Sequence, residues 1–238
     1  MPDDLHIGPS VLERDENLPE VARHPAPWVM RASAYVFALR MPDEVLDRAA
    51  FAPPSLAGKR AGKTSYVLYV DYQTADCGPY HELMIAPSVY DFGEGRFASI
   101  TRIFVSTYDS VVNGRANWGI PKDRADFSVE REGKVDHIRL SRDGHEFADM
   151  RLQGFSLAVP TTSAFLPGGL RTLMQHWQGK TYKFTLKAKG NVRLAKVVDW
   201  RFDPKFFPDL ASGKVLGGLH FPSFEMTFPV ARIDDGLL

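Results

Sequence analysis

Lys122 is the residue whose type and setting best suit covalent chemistry, because it directly follows the stiff, mostly apolar residues 118–121. Pro121 fixes its own φ and restrains the residue before it, while Trp118 and Ile120 can exclude water. An unperturbed lysine amine has a pKa of about 10.4, so almost every such amine is charged and unreactive at pH 7. Desolvation can lower that pKa by up to about 3–5 units, which predicts a nucleophilic amine in a buried pocket. The alternative is a solvated loop lysine.

Glu82 is the second candidate, as a carrier of protons. The two-residue alternation of a β-strand places it on the same face as Tyr80 and Met84. A carboxylate that is desolvated in a pocket has a raised pKa and can transfer protons near neutral pH. The alternative for a glutamate on a sheet face is contact with solvent or a salt bridge.

Two segments of the chain resemble the acetoacetate decarboxylase superfamily. Members carry a Gly-Arg-Glu run, then an aromatic or apolar residue, a proline and the Schiff-base lysine. The matching residues here are Gly114-Arg115, Trp118-Gly119 and Ile120-Pro121-Lys122. Residues 77–82 (Cys-Gly-Pro-Tyr-His-Glu) resemble the family segment that ends in Tyr-x-Glu, whose glutamate lines the same pocket. The two segments follow the family's order, and the similarity spans residues 65–130.

The resemblance implies an enzyme that joins a small keto acid, or another small carbonyl substrate, to Lys122 as an imine while Glu82 moves protons. The iminium withdraws electrons from the adjacent carbon. The same intermediate therefore serves decarboxylation, as in acetoacetate decarboxylase, and the related aldolase and dehydratase reactions, and the pocket selects among them. Such a carbon–carbon lyase needs no cofactor. The resemblance also implies a homo-oligomer.

Five residues form the predicted substrate-binding group. Arg115 can hold a substrate carboxylate through two parallel hydrogen bonds or pair with a structural acid, and we favour the structural role. Arg31 and Asp71 lie near the positions of the family's other pocket arginine and glutamate. Tyr80 and Trp118 belong to the two motifs and complete the predicted pocket.

Asp123 departs from the family, because acetoacetate decarboxylases have a second lysine at this place. A carboxylate within about 4–6 Å would raise the pKa of the Lys122 amine and keep it charged. If the backbone is extended, however, residues 122 and 123 point to opposite faces and the effect is small. The replacement weighs against decarboxylation more than against imine formation.

A second hypothesis is a barrel that binds a small apolar or carboxylated ligand without turnover. Lys122 would then anchor the acid group of the ligand through an ion pair. A shared fold alone does not distinguish this function from an enzyme.

Composition limits the broader class. The 238 residues suit one domain over residues 1–238, with 29 basic and 29 acidic side chains and no basic stripe, which argues against nucleic-acid binding. The single cysteine, Cys77, indicates a reducing compartment. There is no signal-peptide pattern and no apolar run of the ~18–20 residues that a membrane span needs. The seven histidines are scattered, so no metal site is predicted. We expect a cytoplasmic protein.

The pattern along the chain predicts a mainly β (α+β) fold, a curved antiparallel sheet with a β-barrel-like core and a few short peripheral helices. Residues 1–27 are predicted to form an extended N-terminal arm. Strands are predicted over residues 28–39, 65–72, 80–87, 97–108 and 145–157, with a last strand over 221–229. Hairpins are predicted for 127–132 with 135–140 and for 181–188 with 191–202. Helices are predicted over 42–50 and 168–177, with a short one near 204–211.

Overall fold

The computed structural model describes residues 12, 15–48, 50–165 and 171–236. Within these residues the chain forms fifteen β-strands and two α-helices. The strands are β1 (Trp28–Arg40), β2 (Ser65–Thr74), β3 (Tyr80–Ala86), β4 (Val89–Asp91), β5 (Arg96–Ala98), β6 (Arg102–Val105), β7 (Lys122–Arg124), β8 (Asp126–Glu132), β9 (Val135–Arg142), β10 (His145–Thr162), β11 (Thr172–Trp177), β12 (Lys180–Thr185), β13 (Lys187–Phe202), β14 (Lys214–Phe228) and β15 (Arg232–Asp235). The helices are α1 (Asp43–Arg48) and α2 (Tyr108–Trp118).

Ten of the strands form one sheet in the order β7-β6-β3-β2-β1-β14-β13-β10-β9-β8. Its neighbours are antiparallel except β6 and β7, which run parallel. The sheet curves into a nearly closed barrel. A second sheet of five strands has the order β15-β12-β11-β5-β4. The mainly β, barrel-like fold predicted from the sequence is therefore confirmed.

The large sheet has a hydrophobic core on each face. The barrel interior is filled by large side chains, among them Phe37, Leu83, Phe104, Leu140 and Trp200. The outer face packs against α2 and the smaller sheet through a second core that includes Met30, Val105, Trp118 and Phe184. Because successive residues of a strand point to opposite faces, each central strand contributes to both cores.

Helix α2 connects β6 to β7, the two parallel strands of the large sheet. Thr107 caps its N-terminus by accepting a hydrogen bond from the backbone N–H of Ser110 at 3.4 Å. The helix ends at Gly119, whose φ of +62° is a left-handed conformation that glycine adopts without strain. Pro121 then leads directly into β7. This crossover lays α2 against the sheet beside the first residue of β7.

Most elements predicted for the first two thirds of the chain are confirmed. The predicted strands over 28–39, 65–72 and 80–87 are β1, β2 and β3, and the helix over 42–50 contains α1. The predicted hairpin over 127–140 is β8 with β9, and β10 pairs next to it. In the N-terminal segment, residues 1–11, 13 and 14 lie outside the described residues, and the rest up to residue 27 has one short 3-10 turn at Asp15–Asn17. Neither α-helix of the described part has the length and apolar character to cross a membrane.

Two predictions are wrong because segments of buried residues were assigned the wrong secondary structure. Residues 97–108 do not form one strand: they are divided among β5, β6 and the start of α2, and the two strands lie in different sheets. The predicted helix over 168–177 is also wrong. Its residues 168–170 lie outside the described residues, and 172–177 form β11. The side chains of residues 172–176 are all buried, so apolar residues on both faces of this strand imitate helical spacing.

The end of the chain also differs from its prediction. The hairpin over 181–202 is wrong, because β12 and β13 belong to different sheets. Gly190 lies within β13 rather than in a turn, where a Cβ would come within 2.6 Å of the Cα of Phe224. The short helix near 204–211 is reduced to a 3-10 turn at Leu210–Ser212, and the strand over 221–229 belongs to β14 and is followed by β15.

Candidate active site

The amine of Lys122 lies in a buried polar cluster between the large sheet and α2. Only 3% of the residue is exposed. Its Nζ is 2.9 Å from Oγ of Ser110, 3.0 Å from Oε2 of Glu82 and 3.4 Å from the hydroxyl of Tyr80. The lysine is therefore shielded from bulk solvent and within hydrogen-bonding distance of one carboxylate and two hydroxyls.

Strands β2 and β3 hold the carboxylate in place. Tyr80 and Glu82 are two residues apart on β3, so both side chains point to the outer face of the sheet. Tyr72 lies directly opposite Tyr80 in the β2–β3 ladder, with the two ring centroids 4.5 Å apart. The hydroxyl of Tyr72 donates to Oε1 of Glu82 at 3.5 Å. Glu82 thus contacts Lys122 through one oxygen and Tyr72 through the other, which fixes the orientation of the carboxylate.

Helix α2 covers the lysine from the other side. Ser110 lies in its first turn, and Gly114 lies one turn later, directly over the stem of Lys122. A Cβ at position 114 would come within 2.6 Å of the lysine Cδ and 2.7 Å of its Cε. Such distances are well inside van der Waals contact, so a glycine is needed for the helix to approach β7 this closely. The glycine of the sequence motif therefore has a steric role.

Asp123 points away from the amine. Its carboxylate binds Arg142 at 2.6 Å and Arg102 at 3.5 Å, and it accepts the backbone N–H of Arg124 at 3.0 Å. In the β6–β7 pairing Lys122 is beside Ile103, on the outer face, whereas Asp123 is beside Phe104, on the barrel-interior face. The extended backbone separates the two charges, as the alternation of side chains predicted.

A comparison with protein-family models matches residues 53–166 to the family "Acetoacetate decarboxylase (ADC)". The matched residues include β3, β6, α2 and β7, the elements that surround Lys122. This part of the chain, a little under half of its length, is similar to the acetoacetate decarboxylase family. A search of curated protein sequences finds no significant match.

Several solved structures are similar to this chain in fold. An acetoacetate decarboxylase from Legionella pneumophila is 12% identical over 92% of each chain, with a TM-score of 0.71. An acetoacetate decarboxylase-like enzyme from Sphingomonas wittichii RW1 is 14% identical over 90% of this chain and 95% of that one, with a TM-score of 0.65. The enduracididine biosynthesis enzyme MppR in complex with pyruvate is 16% identical over 91% and 93%, with a TM-score of 0.65. Identities this low show the common fold alone.

Arg115, the arginine of the superfamily motif, binds the protein itself in this structure. Its Nε donates to the backbone oxygen of Lys122 at 2.9 Å, and its Nη1 donates to Asp15 at 2.5 Å. The guanidinium also lies 5.3 Å from the ring centroid of Trp177. These contacts tie α2, the start of β7 and the N-terminal segment together, which is the structural role favoured for this residue.

The structure does not bring the other three predicted substrate-binding residues to the amine. Trp118 is fully buried, donates its Nε1 to the backbone oxygen of Pro229 and packs edge-on against Trp28. Arg31 is exposed on β1. Asp71 lies on the face of β2 opposite to Tyr72 and is 3.4 Å from His81. Of the five predicted residues, the geometry places Tyr80 at the amine and Arg115 at the backbone beneath it.

The neutral members of the cluster are held protonated. Burial raises the pKa of Tyr72 and Tyr80 well above the ordinary value, and the nearby Glu82 carboxylate adds to the effect. Burial also raises the pKa of the Cys77 thiol to about 11, although the positive charge of Lys122 acts in the opposite direction. The hydroxyl of Tyr72 therefore donates to Glu82, and the hydroxyl of Tyr80 accepts from Nζ of Lys122.

The sequence reasoning missed Ser110 and Tyr72. Ser110 follows Thr107 by three residues, a spacing that suits a helix N-terminus, but no helix was predicted there. Tyr72 reaches the cluster only because β2 pairs with β3 in a register that places it opposite Tyr80. The β2–β3 pairing was implied by the Gly-Pro turn, so this register was a signal that could have found Tyr72.

Proposed function

We propose that Lys122 forms a Schiff base with the carbonyl group of a small keto acid, and that the protein is a carbon–carbon lyase of the acetoacetate decarboxylase type. The observation that supports this most directly is the burial of the Lys122 amine within 3.0 Å of the Glu82 carboxylate. An amine in this position can pass a proton to its neighbour without water. It can then attack a carbonyl carbon as a free base.

Glu82 carries the proton through imine formation. The ammonium of Lys122 gives one proton to Oε2 of Glu82, and the neutral Nζ attacks the carbonyl carbon. The carbonyl oxygen gains a proton from the attacking nitrogen, which gives a carbinolamine. Glu82 then returns its proton to that hydroxyl, the C–O bond breaks, and water leaves a protonated imine beside an ionised carboxylate. Tyr80 and Ser110 orient Nζ through their contacts of 3.4 Å and 2.9 Å.

The protonated imine accepts the electron pair of the bond that breaks next. In a β-keto acid, the C–C bond to the carboxylate breaks, carbon dioxide leaves and an enamine remains. Protonation at carbon and hydrolysis of the imine then release the product and the lysine. The same electron sink supports aldol-type condensation. One neighbour with this fold, MppR, has been seen with the condensation product of pyruvate and imidazole 4-carboxaldehyde. We place decarboxylation first because the family description names it.

Several properties accompany this proposal. The lysine supplies the electron sink, so the reaction needs no cofactor. The resemblance to the superfamily supports a homo-oligomer, and the single cysteine suits the reducing environment of the cytoplasm.

The test is chemical trapping of the imine. The protein is incubated with acetoacetate or pyruvate, reduced with sodium borohydride and digested, and the peptides are weighed. We expect the added mass on the peptide that contains Lys122 and no added mass in Lys122→Met, a change of similar length. Lys189→Met is the matched control, because this lysine is 73% exposed and makes only a surface ion pair with Glu225.

The competing function is a barrel that holds a ligand without turnover. The existing Lys122–Glu82 ion pair favours it, because an amine committed to that pair acts as a fixed charge. Reversible binding of the keto acid with no reduced adduct would support the ligand-binding function and contradict the proposed enzyme. An adduct that persists in Lys122→Met would overturn the assignment of the lysine.

A further inference from the structure

A pocket lies at the β8–β9 turn and the adjoining parts of β10 and β13, strands that hold none of the residues around the Lys122 amine. Its volume is about 360 Å³, within the usual range for small-molecule sites. Three cationic side chains line it, Arg131, Lys134 and Arg193, and no acidic side chain is among the described residues of its lining. The rest of the lining is Gly133, Gln153, Gly154, Phe155 and Ser156.

The strands are irregular at this pocket. In the β10–β13 ladder Phe155 pairs with Leu194 and Val159 pairs with Val192, so residues 156–158 lie opposite Arg193 alone. Ser156 has φ +71°, a left-handed conformation that is uncommon outside glycine. Bulges and strained residues of this kind concentrate at binding sites, where they redirect a side chain. Here the bulge surrounds the arginine that lines the pocket.

Arg193 and Arg131 are connected by a buried chain of polar residues that the proposed mechanism does not use. The Nε of Arg193 donates to Nδ1 of His220 at 2.9 Å, and the His220 ring stacks on Tyr35 with centroids 4.2 Å apart. The hydroxyl of Tyr35 donates to Asp136 at 2.6 Å, and Asp136 binds Arg131 through two hydrogen bonds of 2.7 and 2.9 Å. Tyr35, Asp136 and His220 are all more than nine-tenths buried. These contacts hold both guanidinium groups in place at the pocket.

The buried polar residues do not neutralise all of the positive charge at the pocket. Asp136 compensates Arg131. Burial lowers the pKa of His220 to about 4, so this histidine is neutral and accepts the Arg193 hydrogen bond without adding or cancelling a charge. Arg193 and Lys134 therefore bring about two positive charges to the lining. Gly154 permits this arrangement, because a Cβ there would come within 2.6 Å of Nε of Arg193.

We propose that this pocket binds a small molecule that carries two negative charges on oxyanion groups, either a phosphate ester or a dicarboxylate. The guanidinium of Arg193 matches two oxygens of such a group through parallel hydrogen bonds, and Lys134 supplies a second, mobile charge. Phe155 offers an apolar wall for the rest of the ligand. The site is independent of the imine chemistry, since its residues lie on different strands.

The test is isothermal titration calorimetry at low ionic strength with two probes, inorganic phosphate and succinate. We expect saturable binding of at least one probe, and the probe that binds identifies the source of the oxyanion. Arg193→Gln should weaken binding about tenfold and Lys134→Gln about threefold, because each removes a charge-assisted contact. Lys187→Gln is the matched control on an exposed part of β13 and should leave binding unchanged.

Two further variants distinguish the possible explanations of the result. Lys134 lies in the β8–β9 turn, so its replacement tests the pocket even if Arg193→Gln disturbs the buried chain. Lys122→Met should keep full affinity, which separates this site from the proposed active site. Absence of saturable binding of both probes to the wild type, or equal affinity of Lys134→Gln and Lys187→Gln, would overturn the proposal.

Discussion

The two faces of β7 hold buried charges of very different character. On the outer face Lys122 has one carboxylate partner, Glu82, and two hydroxyl partners. On the inner face Asp123 lies between Arg102 and Arg142 and also accepts a backbone N–H. We call the contacts of Lys122 the outer group and those of Asp123 the inner group. They begin at adjacent residues of one strand, so the alternation of side chains alone separates them.

The difference shows which face can carry chemistry. Burial lowers the pKa of Arg102 to about 10, which still leaves its guanidinium charged at neutral pH. Arg102 therefore keeps its proton beside Asp123, and the inner group is a fixed structural link. The outer group joins an amine and a carboxylate, which can exchange a proton without leaving a net buried charge. The proposed acid–base and nucleophilic steps therefore belong to the outer face.

The largest effect should come from breaking the inner group. Asp123→Asn leaves the buried Arg102 without a charged partner, so we expect the free energy of unfolding to fall by about 3–5 kcal/mol. Denaturant unfolding measures it. Asp126→Asn is the control, because Asp126 is 64% exposed in its pair with Arg124 and should change stability by about 1 kcal/mol or less. Equal losses in the two variants would show that the inner group is not a structural link.

The next effect should come from the outer group and appear in the rate. Glu82→Gln keeps the shape of the side chain but removes the proton acceptor, so trapping of the Lys122 imine should slow by about 10²-fold or more. Denaturant unfolding of Glu82→Gln separates this loss of rate from any loss of stability. Quenching with borohydride at timed intervals gives the rate. An unchanged trapping rate in Glu82→Gln would contradict the proton-transfer role.

A smaller effect should follow from closing the space above the amine. Gly114→Ala places a methyl group against the Lys122 stem, and overpacking of this kind typically costs about 1–3 kcal/mol. The lysine must also move, so imine trapping should slow. Ala116→Ser is the control on the exposed side of α2, and both its stability and its trapping rate should stay near wild type. A fully active Gly114→Ala protein would show that the close approach of helix and strand is not needed.

Much of the outer group could be predicted from sequence, and the reason is the regularity of strands. The period of two places Tyr80 and Glu82 on one face and, for an extended backbone, separates Lys122 from Asp123. The resemblance then joined the two segments at one pocket. What remained uncertain was which residues of other elements would meet them.

Helix α2 was missed for a physical reason. Its buried residues are largely polar or small, because Ser110, Asn113, Gly114 and Arg115 are among them. A helix that presents polar groups to a site lacks the apolar stripe by which amphipathic helices are found. The strand β11 was mistaken for a helix for the opposite reason. It is buried on both faces, so its sequence lacks the alternation of apolar and polar residues by which strands are found. Pairings between distant strands, such as β12 with β15, depend on the whole fold.

The smallest effect uses Cys77 as a reporter of charge on the outer face. Burial raises the pKa of its thiol to about 11, and the Lys122 charge partly offsets that rise. Because only the thiolate is alkylated, reaction with iodoacetamide should be slow at pH 8 and accelerate toward pH 11. The raised pKa also favours the folded state below about pH 8.5, and this contribution is lost as the pH rises through 11.

Comparing the two faces through this thiol gives the final test. Lys122→Met removes the cation that favours the thiolate, so the pH profile of Cys77 alkylation should move to higher pH and the rate at pH 9 should fall severalfold. Asp123→Asn alters a charge on the opposite face, behind the sheet, and should leave the profile in place. A Cys77→Ser protein reports the background labelling. Equal shifts in the two variants would mean that the faces of β7 are electrostatically coupled, and the separation between a reactive and a structural face would fail.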